Sequence, residues 1–240
     1  MAEPDPRRSD GGSTPKGIVA RRALRDSVYE VLLERVMDGS APAGSSLNID
    51  SLARQLGVSP TPVREALARM EHTGLVELVA LKGYRVADPL SNAQMEELVE
   101  ARMAIELAAV EKAVHRRAEL LSDLRVAHAH HTLAAHRITQ LRQGPGAGFA
   151  DLREYFAADW EFHLVVLRAA GNRYLLQTAE SLSAHVHRLR QSIDHDVFDV
   201  DQAVAEHAAV LTAFESGDPH APVAAMRAHL AGVADRSTGS

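Results

Sequence analysis

Residues 91–240 carry helical periodicity almost throughout, and nothing in them alternates long enough to make a useful strand. Helices are expected over about 92–116, 118–142, 149–170, 173–192, 200–216 and 219–233. The breaks between them are chemically plain. Gly144-Pro145-Gly146-Ala147-Gly148 is a flexible loop, and Gly171 ends one helix while Asn172 caps the next. Gly217 ends another, followed by Asp218 and Pro219 at the start of the last. This part of the chain is therefore mainly α.

The first 90 residues read differently. Residues 1–20 are rich in Pro, Gly, Ser and charge, the composition of a disordered tail. An apolar stripe at Leu24, Val28, Val31, Leu32, Leu33 and Val36 marks a helix that Asp38-Gly39 ends. A short helix fits Ile49 to Leu56, with Gly57 as its left-handed stop. Ser59 is placed to cap a third helix, in whose first turn Pro60 and Pro62 cost little. That helix runs to about Thr73 before Gly74. Two β-type runs follow, Leu75–Val79 and Tyr84–Ala87, with Leu81-Lys82-Gly83 turning between them. Three helices, a tight glycine turn before the third, and a hairpin are the layout of a winged helix-turn-helix. The expected organisation is a tail over 1–20, a winged helix-turn-helix over 21–89, a helical domain over 90–235 and a flexible tail over 236–240.

Composition excludes several classes. With no cysteine among 240 residues, disulfide scaffolds, thiolate zinc sites and iron–sulfur clusters are ruled out. No stretch reaches the roughly 20 apolar residues of a membrane helix, and residues 1–16 lack the apolar core of a secretion signal. A cytoplasmic location and no membrane partner are expected. The net charge of −6 arises wholly beyond residue 90, where 12 of the 13 histidines also lie.

In a winged helix-turn-helix the third helix enters the major groove. Its exposed residues here are Ser59, Thr61 and Arg64, with Arg69 further along, and Arg64 can donate two hydrogen bonds to a guanine edge. Lys82, Gly83 and Tyr84 stand at the hairpin tip, where a glycine lets the backbone approach DNA closely. The stretch Leu52 to Leu67, with Val58-Ser59-x-Thr61-Pro62-Val63-Arg64-Glu65-Ala66-Leu67 at its heart, then Gly74-Leu75-Val76 and Lys82-Gly83-Tyr84-Arg85-Val86, resembles the GntR family of bacterial transcription regulators. Two departures remove positive charge from the DNA side: Pro60 replaces a common arginine, and Asp50 stands where some relatives are basic.

A metal is the second expectation. Asp159 and His163 are one helical turn apart on one face, set among Phe156, Trp160, Phe162 and Val166. A buried carboxylate beside an imidazole needs a partner or an ion. His207 and His229 stand singly in apolar helical stretches. One Asp and three His would leave positions open on a divalent ion, with zinc the first candidate and nickel, manganese or iron as alternatives. His128, His130, His131 and His136 read as a solvated face. Residues 91–235 resemble the FadR-type effector domain called FCD. The resemblance rests on Glu100-Ala101-Arg102 with Ile105-Glu106, Asp159-Trp160-Glu161-Phe162-His163, Ala169-Ala170-Gly171-Asn172, Glu206-His207 and Met226-Arg227-Ala228-His229-Leu230. It implies Asp159, His163, His207 and His229 as the ligand set, an antiparallel helical bundle and a homodimer.

The resulting expectation is a ligand-responsive regulator, a repressor rather than an enzyme, reading double-stranded DNA at two half-sites. A small carboxylate effector would bind at the ion and Arg102, with Asn172 and the arginines at 188 and 190 as weaker contacts. Arg102 has a simpler role available, an ion pair with Glu106 four residues on. The same regulator with a structural or signalling ion is one alternative. A metallohydrolase of the HD type, using His195-Asp196, is the other.

Overall fold

The computed structural model describes the backbone of residues 16–144, 146–192 and 200–238, and the side chains of residues 23–144, 146–182 and 200–236. The tail up to residue 15, the dipeptide His195-Asp196 and the side chains of the arginines at 188 and 190 lie outside the described residues.

Helix α1 (Lys16–Met37) is followed by a two-residue strand β1 (Ser46–Leu47), then α2 (Ile49–Leu56) and α3 (Pro60–His72). Strands β2 (Val76–Val79) and β3 (Gly83–Val86) form the hairpin. The sheet is antiparallel in the order β1-β3-β2, with Leu47 and Leu78 both opposite Tyr84. The fold is the expected winged helix-turn-helix. Gly57 closes α2 at φ 66°, its amide reaching back to the carbonyls of Ala53 and Arg54. That left-handed conformation is open to glycine without steric cost. Val28, Leu32, Ala53, Val63, Leu67, Met70 and Val86 are among the residues that fill the core of this unit.

Three local expectations change. Helix α1 begins at Lys16, inside the stretch read as a tail, where Lys16, Ala20, Arg21 and Arg22 are strong helix formers. Ser59 occupies the N-cap position of α3, but its hydroxyl makes no cap hydrogen bond. The strand β1 went unread, since two residues carry no periodicity of their own.

The helical part comprises α4 (Asn92–Ala113), a 3-10 turn over Val114–Arg116, α5 (Arg117–Arg142), α6 (Phe149–Ala169), α7 (Arg173–Ser192), α8 (Val200–Ser216) and α9 (Ala221–Thr238). Ser91 caps α4 in a reciprocal box with Gln94. Helix α5 packs along α6 and α8, and α4 along α9, α6 and α7. Val110, Leu124, Phe162, Val210, Phe214 and Leu230 lie in the shared core. The C-terminal tail expected from residue 236 is shorter: α9 continues to Thr238, and Arg236 pairs with Glu206 across the bundle.

Candidate metal centre and nucleic-acid face

Helices α4, α5, α6, α8 and α9 each send a polar side chain into an otherwise apolar interior. Arg102, Glu106, His131, Asp159, His163, His207 and His229 are all buried. Ionisable groups are rarely buried to this degree unless they are paired or hold an ion.

Two overlapping groups of ligand atoms lie within 4.8 Å of one another: His163, His207 and His229, and His131, Asp159 and His207. The three histidines expected as ligands converge, and Asp159 reaches them through His207, its Oδ1 lying 3.8 Å from His207 Nε2. The Nε2 atoms of His163 and His207 are 3.2 Å apart. Two nitrogens on neighbouring corners of a tetrahedral zinc ion, each at about 2.1 Å, would be about 3.4 Å apart. His229 Nε2 is buried with no hydrogen-bond partner among the described residues.

The outer nitrogens are tied down. His163 Nδ1 donates to Glu106 Oε2 at 2.6 Å, and His229 Nδ1 donates to Glu206 Oε2 at 2.8 Å. These carboxylates fix the tautomer, so each Nε2 keeps its lone pair for the interior. Burial alone would raise the Glu106 carboxyl, but the Arg102 guanidinium and His163 outweigh it and hold the group at about 2. Burial likewise opposes ionisation of Glu206, and hydrogen bonds from His229, Arg236 and Gln202 bring it down to about 2. Desolvation, followed by the neighbouring His229, pushes His207 well below the ordinary imidazole range. Desolvation also lowers His229, against the pull of Glu206. Both rings are thereby kept neutral, the form that binds a metal.

Arg102 does two things at once. Its Nε donates to Glu106 at 2.7 Å, the simpler role read from the sequence, and its Nη2 stands 3.4 Å from His163 Nε2. The guanidinium lies over Trp160, 5.6 Å from the ring centroid. A permanent cation thus borders the convergence point of the imidazoles. Asn172 is used differently: its side-chain oxygen accepts from the amides of Tyr174 and Leu175 and caps α7.

Three contributors were missed or misread. His131 does not belong to a solvated face; it is fully buried, with Nδ1 3.0 Å from His207 Nδ1. Its spacing from Leu124, Ala127 and Ile138 places it on the buried stripe of α5, a signal the cluster of neighbouring histidines obscured. Glu206 was read only as the neighbour of His207, and Arg236 fell in the expected tail, because their pairing joins α8 to α9.

On the winged unit, Ser59, Thr61 and Arg64 are exposed along one edge of α3, and Lys82 and Gly83 are exposed at the hairpin tip. Tyr84 is instead buried in the core. Period-2 alternation places it beside Val86 on the inner face of β3. Arg69 turns toward α1, its guanidinium 3.8 Å above the Tyr29 ring and 3.8 Å from Asp26. Five residues separate it from Arg64, about 140° of helical rotation.

Comparison with known proteins agrees with both units. The model for bacterial regulatory proteins of the gntR family matches residues 24–86, and that for the FCD domain matches residues 97–232. A probable D-xylose utilization operon transcriptional repressor of Paenarthrobacter nicotinovorans is 28% identical over 89% of this chain and 88% of its own. An HTH-type transcriptional regulator of Streptomyces ambofaciens is 30% identical, covering 89% of this chain and 85% of the relative. The HTH-type transcriptional repressor RspR of Escherichia coli is 26% identical over 86% of each chain. The solved structure of E. coli McbR/YncC superposes with a TM-score of 0.65 at 20% identity, covering 87% of this chain and 94% of that one. A winged helix-turn-helix joined to a helical bundle, matched across both parts, places this chain in the gntR family of bacterial regulatory proteins as a transcriptional regulator with an FCD domain.

Proposed function

We propose that this regulator is a repressor whose helical domain holds one divalent ion and answers to a small organic acid. His163, His207 and His229 would supply imidazole nitrogens and Asp159 a carboxylate oxygen, a nitrogen and oxygen donor set suited to zinc, nickel, manganese or iron. Bound there, the ion supplies Lewis acidity and leaves coordination positions for an effector oxygen. Arg102 is placed to take a second carboxylate oxygen, because its guanidinium borders the imidazoles and offers donors in a planar fork. The observation that carries the reading is the set of buried imidazoles turned inward, two of them with their outer nitrogens held by ionised carboxylates.

The winged unit reads DNA through α3 and the hairpin tip. Arg64 faces base edges, Ser59 and Thr61 face phosphate, and Lys82 and Gly83 approach the backbone. As a homodimer the protein would present two such heads to two half-sites, so a small reorientation of the helical domains changes operator affinity strongly. Two of the relatives are named as repressors, which supports repression as the mode.

The test is fluorescence anisotropy on an operator selected in vitro. Metal-stripped protein is titrated first with zinc, nickel, manganese or iron, then with a panel of hydroxy acids, sugar acids and dicarboxylates. Release by a carboxylate only when metal is present is the expected result. Release by metal alone would make the ion the signal, and release by carboxylates without metal would overturn the reading. Arg102→Lys keeps the charge opposite Glu106 but loses the fork. It should weaken the carboxylate response while leaving DNA binding intact.

A further inference from the structure

We infer that His131 is a positioning residue of the centre: it accepts from His207 Nδ1 and so holds the tautomer in which His207 offers Nε2 to the ion. The inference rests on the metal reading above and extends it to a residue outside the expected ligand set.

His131 lies on α5, which packs against both α6 and α8, the helices carrying Asp159 and His207. Its ring packs against Tyr155, with centroids 5.1 Å apart and planes tilted by 37°. His131 Nδ1 faces His207 Nδ1 at 3.0 Å, and His131 Nε2 faces Asp159 Oδ1 at 3.7 Å. Only one proton fits between the two facing Nδ1 atoms, which leaves two arrangements. If His131 Nδ1 carries it, His131 Nε2 turns a lone pair toward the Asp159 carboxylate, and His207 Nε2 carries a proton that blocks ligation. If His207 Nδ1 carries it, His207 Nε2 is free to ligate, His131 accepts at Nδ1, and the His131 Nε2 proton points at Asp159. Asp159 does not choose between these arrangements, because its Oδ1 lies 3.7 Å from His131 Nε2 and 3.8 Å from His207 Nε2; the ion does, since ligation takes the His207 Nε2 lone pair and His131 Nδ1 then accepts from His207 Nδ1. His163 and His229 are oriented by carboxylates, through Glu106 and Glu206, and His207 by the His131 imidazole.

Stacking of Phe162 on His207, with ring centroids 4.1 Å apart and planes 11° from parallel, holds the His207 ring plane but leaves its proton placement undetermined. That is the part His131 supplies.

The experiment is titration of the metal-stripped full-length protein with cobalt(II), whose visible absorption reports coordination, on wild type, His131→Asn and His131→Leu. Asparagine sets an amide oxygen where Nδ1 was and can still accept from His207; leucine cannot. Loss of an outer partner costs about 10- to 100-fold in metal affinity. The expected result is that loss in His131→Leu with an altered cobalt spectrum, and binding close to wild type in His131→Asn. Wild-type affinity in His131→Leu, or equal loss in both variants, overturns the inference while the metal reading stands. Wild type that binds no cobalt sinks the metal reading, and this inference with it. Long-range 1H–15N correlation on the loaded wild type needs no variant: a His131 protonated at Nδ1 would overturn the assignment, and one protonated at Nε2 supports it.

Discussion

Gly232 shows how a residue without a side chain governs a ligand. A Cβ there would stand 2.7 Å from Glu206 Oε1 and 2.9 Å from Arg236 Nη1, the two groups whose pairing holds His229. Both contacts are the far ends of side chains, so Gly232→Ala should break the pair and leave the backbone in place. Alanine also favours a helix interior by about 1 kcal/mol over glycine. The expected outcome is an unfolding midpoint of the metal-free protein that is unchanged or raised, with weaker metal binding, measured by thermal denaturation and metal titration. Unchanged metal affinity would show that Glu206 does not need Arg236. At the other end of the molecule, Arg64 is exposed and packs into nothing that its loss would destabilise. Arg64→Ala should weaken operator binding about 10- to 100-fold, the worth of one good bidentate base contact. Anisotropy on operators varied one base pair at a time would show the preference relaxed at a single position per half-site.

Among elements, the bundle is joined at its centre by charge-assisted hydrogen bonds as well as apolar contact. Glu106 on α4 accepts from His163 on α6, and Glu206 on α8 accepts from His229 and forms an ion pair with Arg236, both on α9. Both carboxyls titrate at about 2 in the folded protein against 4.5 ordinarily. Their folded values are depressed, so the unfolded chain binds protons first as the solution is acidified. The stability they contribute is present above about pH 4.5 and is lost as the pH falls toward 2. Denaturant titrations of the metal-free protein across that window should show stability dropping, with Glu106→Gln flattening part of the slope. A pH-independent stability over the window would contradict the pairing. The elements themselves were largely legible. α2 over Ile49–Leu56 follows from its apolar spacing and Gly57, and α8 over Val200–Ser216 from its own. Tyr84 shows the limit of reading by position: its place beside the hairpin tip suggested DNA, while the pleat of β3 sends it inward.

For the whole molecule, the proposed function requires the two units to communicate. Arg153 on α6, the helix of Asp159 and His163, pairs with Glu30 on α1 of the winged unit. Exposed pairs of this kind contribute little to stability. Arg153→Glu should therefore leave the unfolding midpoint where it is, yet reduce the change in operator affinity that metal and carboxylate produce. Anisotropy with and without both would measure this, and an unaltered response would place the coupling elsewhere. No helix among the described residues is long and apolar enough to cross a membrane.

The sequence by itself determined the winged helix-turn-helix, the helices that follow it, and the inward placement of Asp159, His163, His207 and His229. These follow from local rules: apolar spacing, glycine stops, and one-turn pairs. Only the tertiary structure decided what those residues face. Glu106, Glu206 and His131 meet His163, His229 and His207 across helices far apart in the chain, with His131 and His207 separated by 76 positions. Contacts between helices depend on which stripe of each is turned inward and how the helices pack. No window of sequence holds that information, because buried charge is settled by the partners that folding brings to it.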